Sequence, residues 1–321
     1  SSRFGSTARA PPYTTSCRIS AVVAMAINKP SGREAVEGLI AQRRLRFRFM
    51  RHDSWENALF VHWPVDPAKV AALLPAGLEP DLLDGTAWVG LVLLTERGVS
   101  AHTAWIRRAL VRPIDHFGAN VRTYVRRGGV PGIFFWSLEC TSILASLGAR
   151  IAGIPYFPAR MWRHVDVERP LGVGGGKTGY FQCSEPPLPC MKGGGSDVAF
   201  EFSSVRVTLS GSRPSVTARW RIADAPRSED AGFAERASWF LERYSVYSAW
   251  PLGFGPLLLR GDVQHPPWKV QPAELVDLDA EPLLAAAGLP HLAARGPDAP
   301  APHVCFSRGV GLVDFRMPEP V

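Results

Sequence analysis

Residues 120–126 read Asn-Val-Arg-Thr-Tyr-Val-Arg, and a Gly128-Gly129 turn separates them from residues 133–139, Ile-Phe-Phe-Trp-Ser-Leu-Glu. Two runs of β-branched and aromatic residues on either side of a glycine turn predict a β-hairpin. The hairpin places an arginine, a tyrosine and a carboxylate within otherwise apolar strands, where an unpaired buried charge costs on the order of several kcal/mol. A polar-lined cavity inside a β structure would explain this pattern.

The first strand of this hairpin has two different faces. Arg122 and Tyr124 share one face, and Val121, Thr123 and Val125 share the other, because successive side chains of a strand alternate. If the valine face meets outer helices, Arg122 points into a barrel, where its guanidinium would bind a carboxylate through two hydrogen bonds. If the valine face is the core, Arg122 is solvated. The strand alone leaves both interpretations open.

Alternating apolar runs bounded by turn signals recur along most of the chain. They predict about ten strands and a few short helices, and therefore a mainly β member of the α+β class, a barrel with outer helices. Outside the hairpin we expect strands at 45–49, 59–63, 87–94, 198–209, 215–222, 244–250, 257–263 and 303–315, and helices at 31–43, 66–74, 228–241 and 281–287.

The formal net charge of +7 comes from one end of the chain. Residues 1–50 contain nine Lys/Arg and two acidic residues, so the remainder is neutral. A nucleic-acid-binding domain needs a basic face on its folded body, and no apolar stretch is long enough to span a membrane. We therefore expect a soluble protein that binds neither nucleic acid nor a membrane.

The N-terminal residues have a distinct composition. No acidic side chain precedes Glu34, and Ser, Thr, Ala and Arg are frequent. This composition suits a transit peptide, or a disordered leader with Met25 as the true start. We expect residues 1–30 to be such a leader and residues 31–321 to form one domain. Five scattered cysteines favour reduced thiols and an intracellular location, in a plastid or mitochondrion if the leader is a transit peptide.

Two motifs that suggest a cofactor do not meet the requirements of their chemistry. Gly172 to Thr178 resembles a phosphate-binding loop, but Leu171 occupies the position of the first glycine, and a strand pattern follows where a helix is required. Cys183 and Cys190 lack the second ligand pair of a zinc site. We therefore expect no cofactor and no metal. His62 and the other dispersed histidines are expected to be mostly structural.

Several short motifs occur together in a fixed order. They are Leu59-Phe-Val-His-Trp-Pro64, Leu73-Leu-Pro-Ala-Gly-Leu78, Gly85-Thr-Ala-Trp-Val-Gly90, Asn120-Val-Arg-Thr-Tyr-Val125, Gly153-Ile-Pro-Tyr156, Glu242-Arg-Tyr244 and His265-Pro-Pro-Trp268. In this order they resemble the DUF2071 family, a branch of the acetoacetate decarboxylase-like superfamily, over about residues 45–318. The resemblance implies a cone-shaped β-barrel that encloses a small-molecule cavity.

The resemblance also identifies a missing group. The superfamily's catalytic segment is Gly-Tyr-Pro-Lys-Lys, in which a lysine forms a Schiff base with a keto acid. The corresponding residues here are Gly153 to Phe157, so Tyr156 and Phe157 replace both lysines. Of the five lysines, Lys269 alone is placed where it could reach a cavity. Schiff-base decarboxylation is therefore disfavoured.

These observations lead to a hypothesis of function. We expect a lysine-independent, lyase-like enzyme that acts on a small carboxylate or carbonyl compound; the alternatives are a non-catalytic ligand-binding barrel and a scaffold whose Arg/Tyr pairs are structural. The expected partner is a small anionic molecule, and homo-oligomerisation is left open. The expected catalytic residues are Tyr156, Glu139 and His265, and the expected substrate-binding residues are Arg122, Tyr124, Arg160, Tyr244 and Trp268.

Overall fold

The computed structural model describes residues 48–101, 113–143, 146, 150, 153–167, 198–208, 211–223, 232–252, 255–293 and 301–321. The predicted leader, the helix at 31–43, the loop at 172–178 and the pair Cys183 and Cys190 lie outside these residues. Within the described ranges, no helix has the length and apolar character needed to cross a bilayer.

Strands dominate the described chain. They are β1 (Arg48–Val65), β2 (Glu79–Pro80), β3 (Ala87–Ala101), β4 (Ile114–Arg127), β5 (Val130–Cys140), β6 (Tyr156–Val167), β7 (Val198–Arg206), β8 (Ser215–Ile222), β9 (Ser245–Leu252), β10 (Gly255–Gln264), β11 (Gln271–Asp279), β12 (His303–Arg316) and β13 (Glu319–Pro320). The described residues include the helices α1 (Pro67–Ala72), α2 (Phe233–Leu241) and α3 (Glu281–Ala286).

Nine strands close into a barrel, in the order β5-β6-β7-β8-β11-β12-β1-β3-β4 and back to β5. Alternate residues of these strands point inward, among them Leu91, Phe200, Phe202, Trp220 and Phe306, and all five are buried. Residues of α1 and α3 join the same core. Hydrocarbon therefore fills much of this barrel, together with the buried Arg163, which donates a hydrogen bond to Thr95. The expected mainly β barrel with a few helices is confirmed.

A second ring of strands shares part of this barrel. Along one edge of β5, residues 138–140 pair with β6, whereas residues 133–134 pair with β9. Strand β12 divides in the same way, with residues 305–306 on β11 and residues 314–315 on β10. Because β9 and β10 pair with each other, the sheet β12-β1-β3-β4-β5, which we call the shared sheet, belongs to two rings.

Two local irregularities separate the observed strands from the predicted ones. The strands expected at 45–49 and 59–63 belong to one strand, β1, whose described part begins at Arg48 and which bulges where Asn57 adopts a φ of 50°. Strands β2, β6, β11 and β13 were not predicted. In β11, a register shift between Leu275 and Asp277 breaks the alternation. The predicted bounds of β8 are confirmed.

Candidate functional site

The polar residues of interest lie on the face of the shared sheet that is opposite the hydrocarbon core of the nine-stranded barrel. We call it the inner face; α2 packs against it through Phe233, Phe240 and Leu241. Its members are His52, Trp55, Phe60 and His62 of β1, Val92 and Glu96 of β3, His116, Gly118, Asn120, Arg122 and Tyr124 of β4, Cys140 of β5 and Cys305 of β12.

Arg122 is a buried cation in an aromatic environment. It is 8% exposed, and its guanidinium carbon lies 5.7 Å from the ring centres of both Phe60 and Tyr124. Its Nη2 is 3.5 Å from the Tyr124 hydroxyl, and its Nε has no hydrogen-bond partner. No carboxylate of the described residues lies within 4.0 Å of this guanidinium. An arginine buried in this way can bind an anion with little competition from the protein.

The orientation of this strand differs from both interpretations based on sequence. Val121 lies in the core of the nine-stranded barrel, as required by the interpretation in which the valine face is the core. Arg122 is nevertheless not solvated, because α2 and the second ring cover the inner face. Both faces of β4 are buried, since the strand lies between two packed layers.

Aromatic side chains pack over the middle of the inner face. Trp268 lies 5.0 Å from the ring of Phe60 and stacks on Trp55 at 5.9 Å, and His265 lies 5.8 Å from Trp268. Burial lowers the pKa of His265; the hydrogen bond to the Pro266 carbonyl and the charge of Glu242 oppose this, and the charge of Arg122 adds the smallest effect, again lowering the pKa. His265 is therefore a neutral imidazole near a buried cation.

Glu242 holds this aromatic segment in place. Its carboxylate accepts hydrogen bonds from the Trp268 amide, at 2.9 Å, and from the Tyr244 hydroxyl. Tyr244 is 40% exposed and packs on His265 at 4.9 Å. Tyr244 thus lies at the rim, whereas His265 and Trp268 lie above Phe60.

A buried acid on the inner face was not predicted from the sequence. Glu96 is 6% exposed, and its carboxylate lies 2.9 Å from His52 Nδ1 and 4.0 Å from His116 Nδ1. Burial raises the pKa of Glu96, but His116, His52 and Trp55 outweigh it, so that the pKa is lowered overall. Since the three strand positions are far apart in the chain, the sequence contained no local signal for this cluster.

Tyr156 lies next to this acid. It pairs with Leu138 across parallel strands, which places it on the inner face. Burial raises its pKa well above the ordinary value, and the nearby charges of Glu96 and Cys140 raise it further. The phenol therefore stays protonated and can donate a hydrogen bond.

Two predicted site residues are not brought to the inner face. Glu139 points the other way, where Arg206 Nη2 and Ser137 Oγ each donate to it at 2.6 Å. Arg160 is exposed on β6. Among the lysines of the described ranges, Lys69 and Lys269 are both exposed. The structure thus gathers Arg122, Tyr124, Tyr156, His265 and Trp268, with Tyr244 at the rim.

Comparison with known proteins agrees with this architecture. The DUF2071 family, described as an uncharacterized conserved protein, matches residues 52–311. The uncharacterized protein YqjF of Bacillus subtilis (strain 168) is 28% identical over 228 residues, which are 70% of this chain and 77% of that protein.

Two solved structures of the enduracididine biosynthesis enzyme MppR are similar in fold. The structure with HEPES buffer bound has 15% identity and a TM-score of 0.51, covering 85% of this chain and 87% of that one. The complex with pyruvate has 14% identity and a TM-score of 0.50, covering 85% and 90%. The matched segment includes both rings of strands and the whole inner face, and the chain accordingly belongs to the DUF2071 family, with an acetoacetate decarboxylase-like barrel.

Proposed function

We propose that this protein is an enzyme that acts on a small carboxylate bearing a carbonyl group, with Arg122 as the anion-binding residue and without a Schiff-base lysine. The observation that carries the proposal is the buried Arg122 guanidinium, which has no carboxylate partner among the described residues. Such a charge is costly unless an anion pairs with it in the working state. A bidentate hydrogen-bonded carboxylate fits a guanidinium well.

The ligand class draws support from the fold comparison. MppR has been solved in complex with pyruvate, which is a small 2-oxo acid. The likeness to MppR concerns the fold alone, so pyruvate serves here as the first compound to test. The aromatic environment of Phe60, Tyr124 and Trp268 suits a compact planar acid of this kind.

The groups around Arg122 can supply proton chemistry. Tyr156 stays protonated and would donate to an oxyanion that develops on the carbonyl oxygen. His265 is neutral and would accept a proton from the ligand. Glu96, on the same face as Tyr156, takes the role of buried acid that was predicted for Glu139.

Binding and turnover of pyruvate and related 2-oxo and 3-oxo acids should be measured for the wild type, Arg122→Gln and Tyr156→Phe. Arg122→Gln should weaken carboxylate binding about 10- to 100-fold, equivalent to about 1.5–3 kcal/mol, while leaving binding of the neutral amide pyruvamide unchanged. Without ligand, the same variant should melt no lower than the wild type, because it removes a buried charge. Tyr156→Phe should lower kcat with little change in Kd.

Arg160→Gln is the matched control, because it removes an exposed arginine from the outside of the barrel. It should leave binding, turnover and Tm unchanged. Carboxylate binding of equal strength in the wild type and in Arg122→Gln would contradict the proposal.

A non-catalytic ligand-binding protein is the second candidate. It is favoured by Tyr156 at the position of the superfamily's lysine and by the exposure of both described lysines. The two candidates differ in one measurement. A binding protein would show Arg122-dependent affinity with no conversion of any acid in the panel.

A further inference from the structure

We propose that Cys140 is a nucleophile that forms a reversible covalent bond with the carbonyl carbon of the bound ligand, with His116 and Glu96 as its proton-transfer partners. This proposal rests on the proposed function for its ligand, but the reactive thiol itself does not require that ligand. Such a thiol would supply the covalent step that the missing lysine cannot supply.

The strand register brings the three side chains together. Glu96 lies directly opposite His116, and Gly118 lies directly opposite Cys140. His116 and Gly118 are two residues apart, so they share the inner face. Cys140 and His116 therefore lie near each other across β4 and β5, and His116 Nδ1 is 4.0 Å from Glu96 Oε1. The strands thus place a nucleophile (Cys140), a base (His116) and a group that orients the base (Glu96) one beside the next.

A backbone hydrogen bond positions the sulfur of Cys140. The Ser142 amide donates to Cys140 Sγ at 3.2 Å. An amide hydrogen bond and a neighbouring imidazolium are typical of the surroundings of reactive cysteines. Cys140 and His116 are both buried, so water screens this pair weakly.

The space beside Cys140 has features of a ligand site. A Cβ atom at Gly118 would lie 2.8 Å from Glu96 Oε1, so glycine at this position allows the Glu96 carboxylate to approach β4 closely. The next residue on the same face, Asn120, is 7% exposed, and its Oδ1 has no hydrogen-bond partner. Asn120 lies between Gly118 and Arg122 along β4. An unsatisfied buried amide at this point is independent evidence for a polar ligand between Cys140 and Arg122.

The charges around His116 favour its protonated form. Burial lowers the pKa of His116, but the Glu96 carboxylate and Cys140 raise it to about 9 overall. The facing groups are His52 on β1, which opposes this shift, Glu96 on β3 and Cys140 on β5. At neutral pH His116 therefore carries a proton that it can give to a ligand.

The covalent step is balanced without a further reactant. His116 gives its proton to the carbonyl oxygen of the ligand as the Cys140 sulfur attacks the carbonyl carbon, and the thiol proton of Cys140 replaces it on His116. The S–C bond forms while the carbonyl π bond breaks. The product is a hemithioketal, or a hemithioacetal for an aldehyde, and reversal of the step restores thiol and carbonyl.

Alkylation by iodoacetamide, followed by peptide mapping, tests the thiol without the ligand. The internal control is Cys305, which is also buried on the inner face but whose pKa burial raises to about 12, with Arg122 opposing. At neutral pH Cys140 should react at least about tenfold faster than Cys305. His116→Asn should abolish this advantage, and Glu96→Gln should reduce it.

A second measurement depends neither on access of a reagent to the thiol nor on the use of His116→Asn. The ultraviolet thiolate absorbance of the native wild type at neutral pH should be lost in Cys140→Ser. The proposal would be overturned if Cys140→Ser left this absorbance unchanged. It would also be overturned if iodoacetamide alkylated Cys140 no faster than Cys305, or did not modify Cys140 at any pH, because a working nucleophile must be ionised and reachable by a small molecule.

Bromopyruvate then separates this proposal from the proposed function. It alkylates a thiolate with loss of bromide and carries a carboxylate that Arg122 would bind. Arg122→Gln should slow bromopyruvate labelling of Cys140 while leaving the iodoacetamide rate unchanged. Equal rates of bromopyruvate labelling in the wild type and in Arg122→Gln would refute the role of Arg122 alone. If His116→Asn left the rates of Cys140 labelling by both reagents unchanged, the role of Cys140 alone would be refuted.

Discussion

At the scale of single residues, buried charges in this protein are of two kinds. Asp81 and Glu139 are paired with arginines, and their partners satisfy them within the fold. Arg122 lacks a carboxylate partner among the described residues. Paired charges stabilise a packed structure only while both partners remain, whereas an unpaired one is available to a ligand.

Arg206→Ala should test the structural character of the Glu139 pair. The arginine is 11% exposed and stacks on Phe157 at 3.7 Å, so its loss should cost about 3–5 kcal/mol of unfolding free energy at neutral pH. Burial raises the pKa of Glu139, and Arg206 and Ser137 only partly oppose this.

The pH dependence of that cost has a definite sign. Removing Arg206 raises the pKa of Glu139 further, so the folded variant binds a proton that the unfolded chain releases above the ordinary carboxyl range. The free energy of unfolding of the variant should therefore fall as pH rises above the ordinary carboxyl range toward the raised pKa of Glu139. At lower pH, the difference in unfolding free energy between the variant and the wild type should become smaller. Urea unfolding at several pH values measures this, with exposed Arg219→Ala as control; a difference independent of pH would contradict it.

At the scale of elements, α2 determines how the inner face is closed. Phe240 stacks on His62 at 4.0 Å, and burial, followed by the charge of Arg122, lowers the pKa of His62 well below its ordinary value. Just after α2, Arg243 donates to the Trp239 carbonyl at 2.7 Å and pairs with Asp81 at 2.5 Å. Arg243 thus ties the end of this helix to the segment that follows β2.

Arg243→Ala should loosen α2 without opening the nine-stranded barrel. Asp81 would keep only Arg126, whose side chain is 52% exposed, so a buried carboxylate would be left poorly paired. We expect faster amide hydrogen exchange in α2 than in β7 and β8, and weaker binding at Arg122. Ser238→Ala, an exposed change on the same helix, should leave exchange unaltered. Uniformly faster exchange throughout the chain would contradict a local role.

At the scale of the whole molecule, two rings of strands use one shared sheet for different purposes. The side that faces into the nine-stranded barrel is mainly hydrocarbon, whereas the other side holds Arg122, Glu96, His116 and Cys140. The contact between β5 and β9 depends on Gly132, where a Cβ atom would lie 2.7 Å from the Ser245 carbonyl oxygen and 2.7 Å from the Tyr247 ring.

Gly132→Ala should separate the stabilities of the two rings. Forcing β5 and β9 apart should cost about 1–3 kcal/mol, and faster exchange should be confined to β9 and β10. Ligand binding should weaken while β7 and β8 stay protected. Gly211→Ala is the matched control, because its Cβ would meet nothing within 4 Å. Equal loss of protection in β7 and β9 would show that the rings unfold together.

The sequence by itself determined most of the strands, the hairpin at 120–139 and the family. These depend on local period, turn residues and ordered motifs, which are written in consecutive positions. It also determined that Arg122 and Tyr124 share a face, and that Tyr156 and Phe157, rather than lysines, come directly after Pro155. The predictions that rest on residues 1–30 and 172–190 stay predictions.

Only the tertiary structure decided what lies opposite each face. Glu139 and Glu96 are both carboxylates within strands, yet one faces Arg206 and the other faces His52 and His116. Bulges in β1 and β5 set which residues become neighbours, and a shift of one position moves a side chain to the other face. Burial, pairing and pKa depend on these long-range neighbours, and for that reason the cluster of Glu96, His116 and Cys140 could not be found from spacing along the chain.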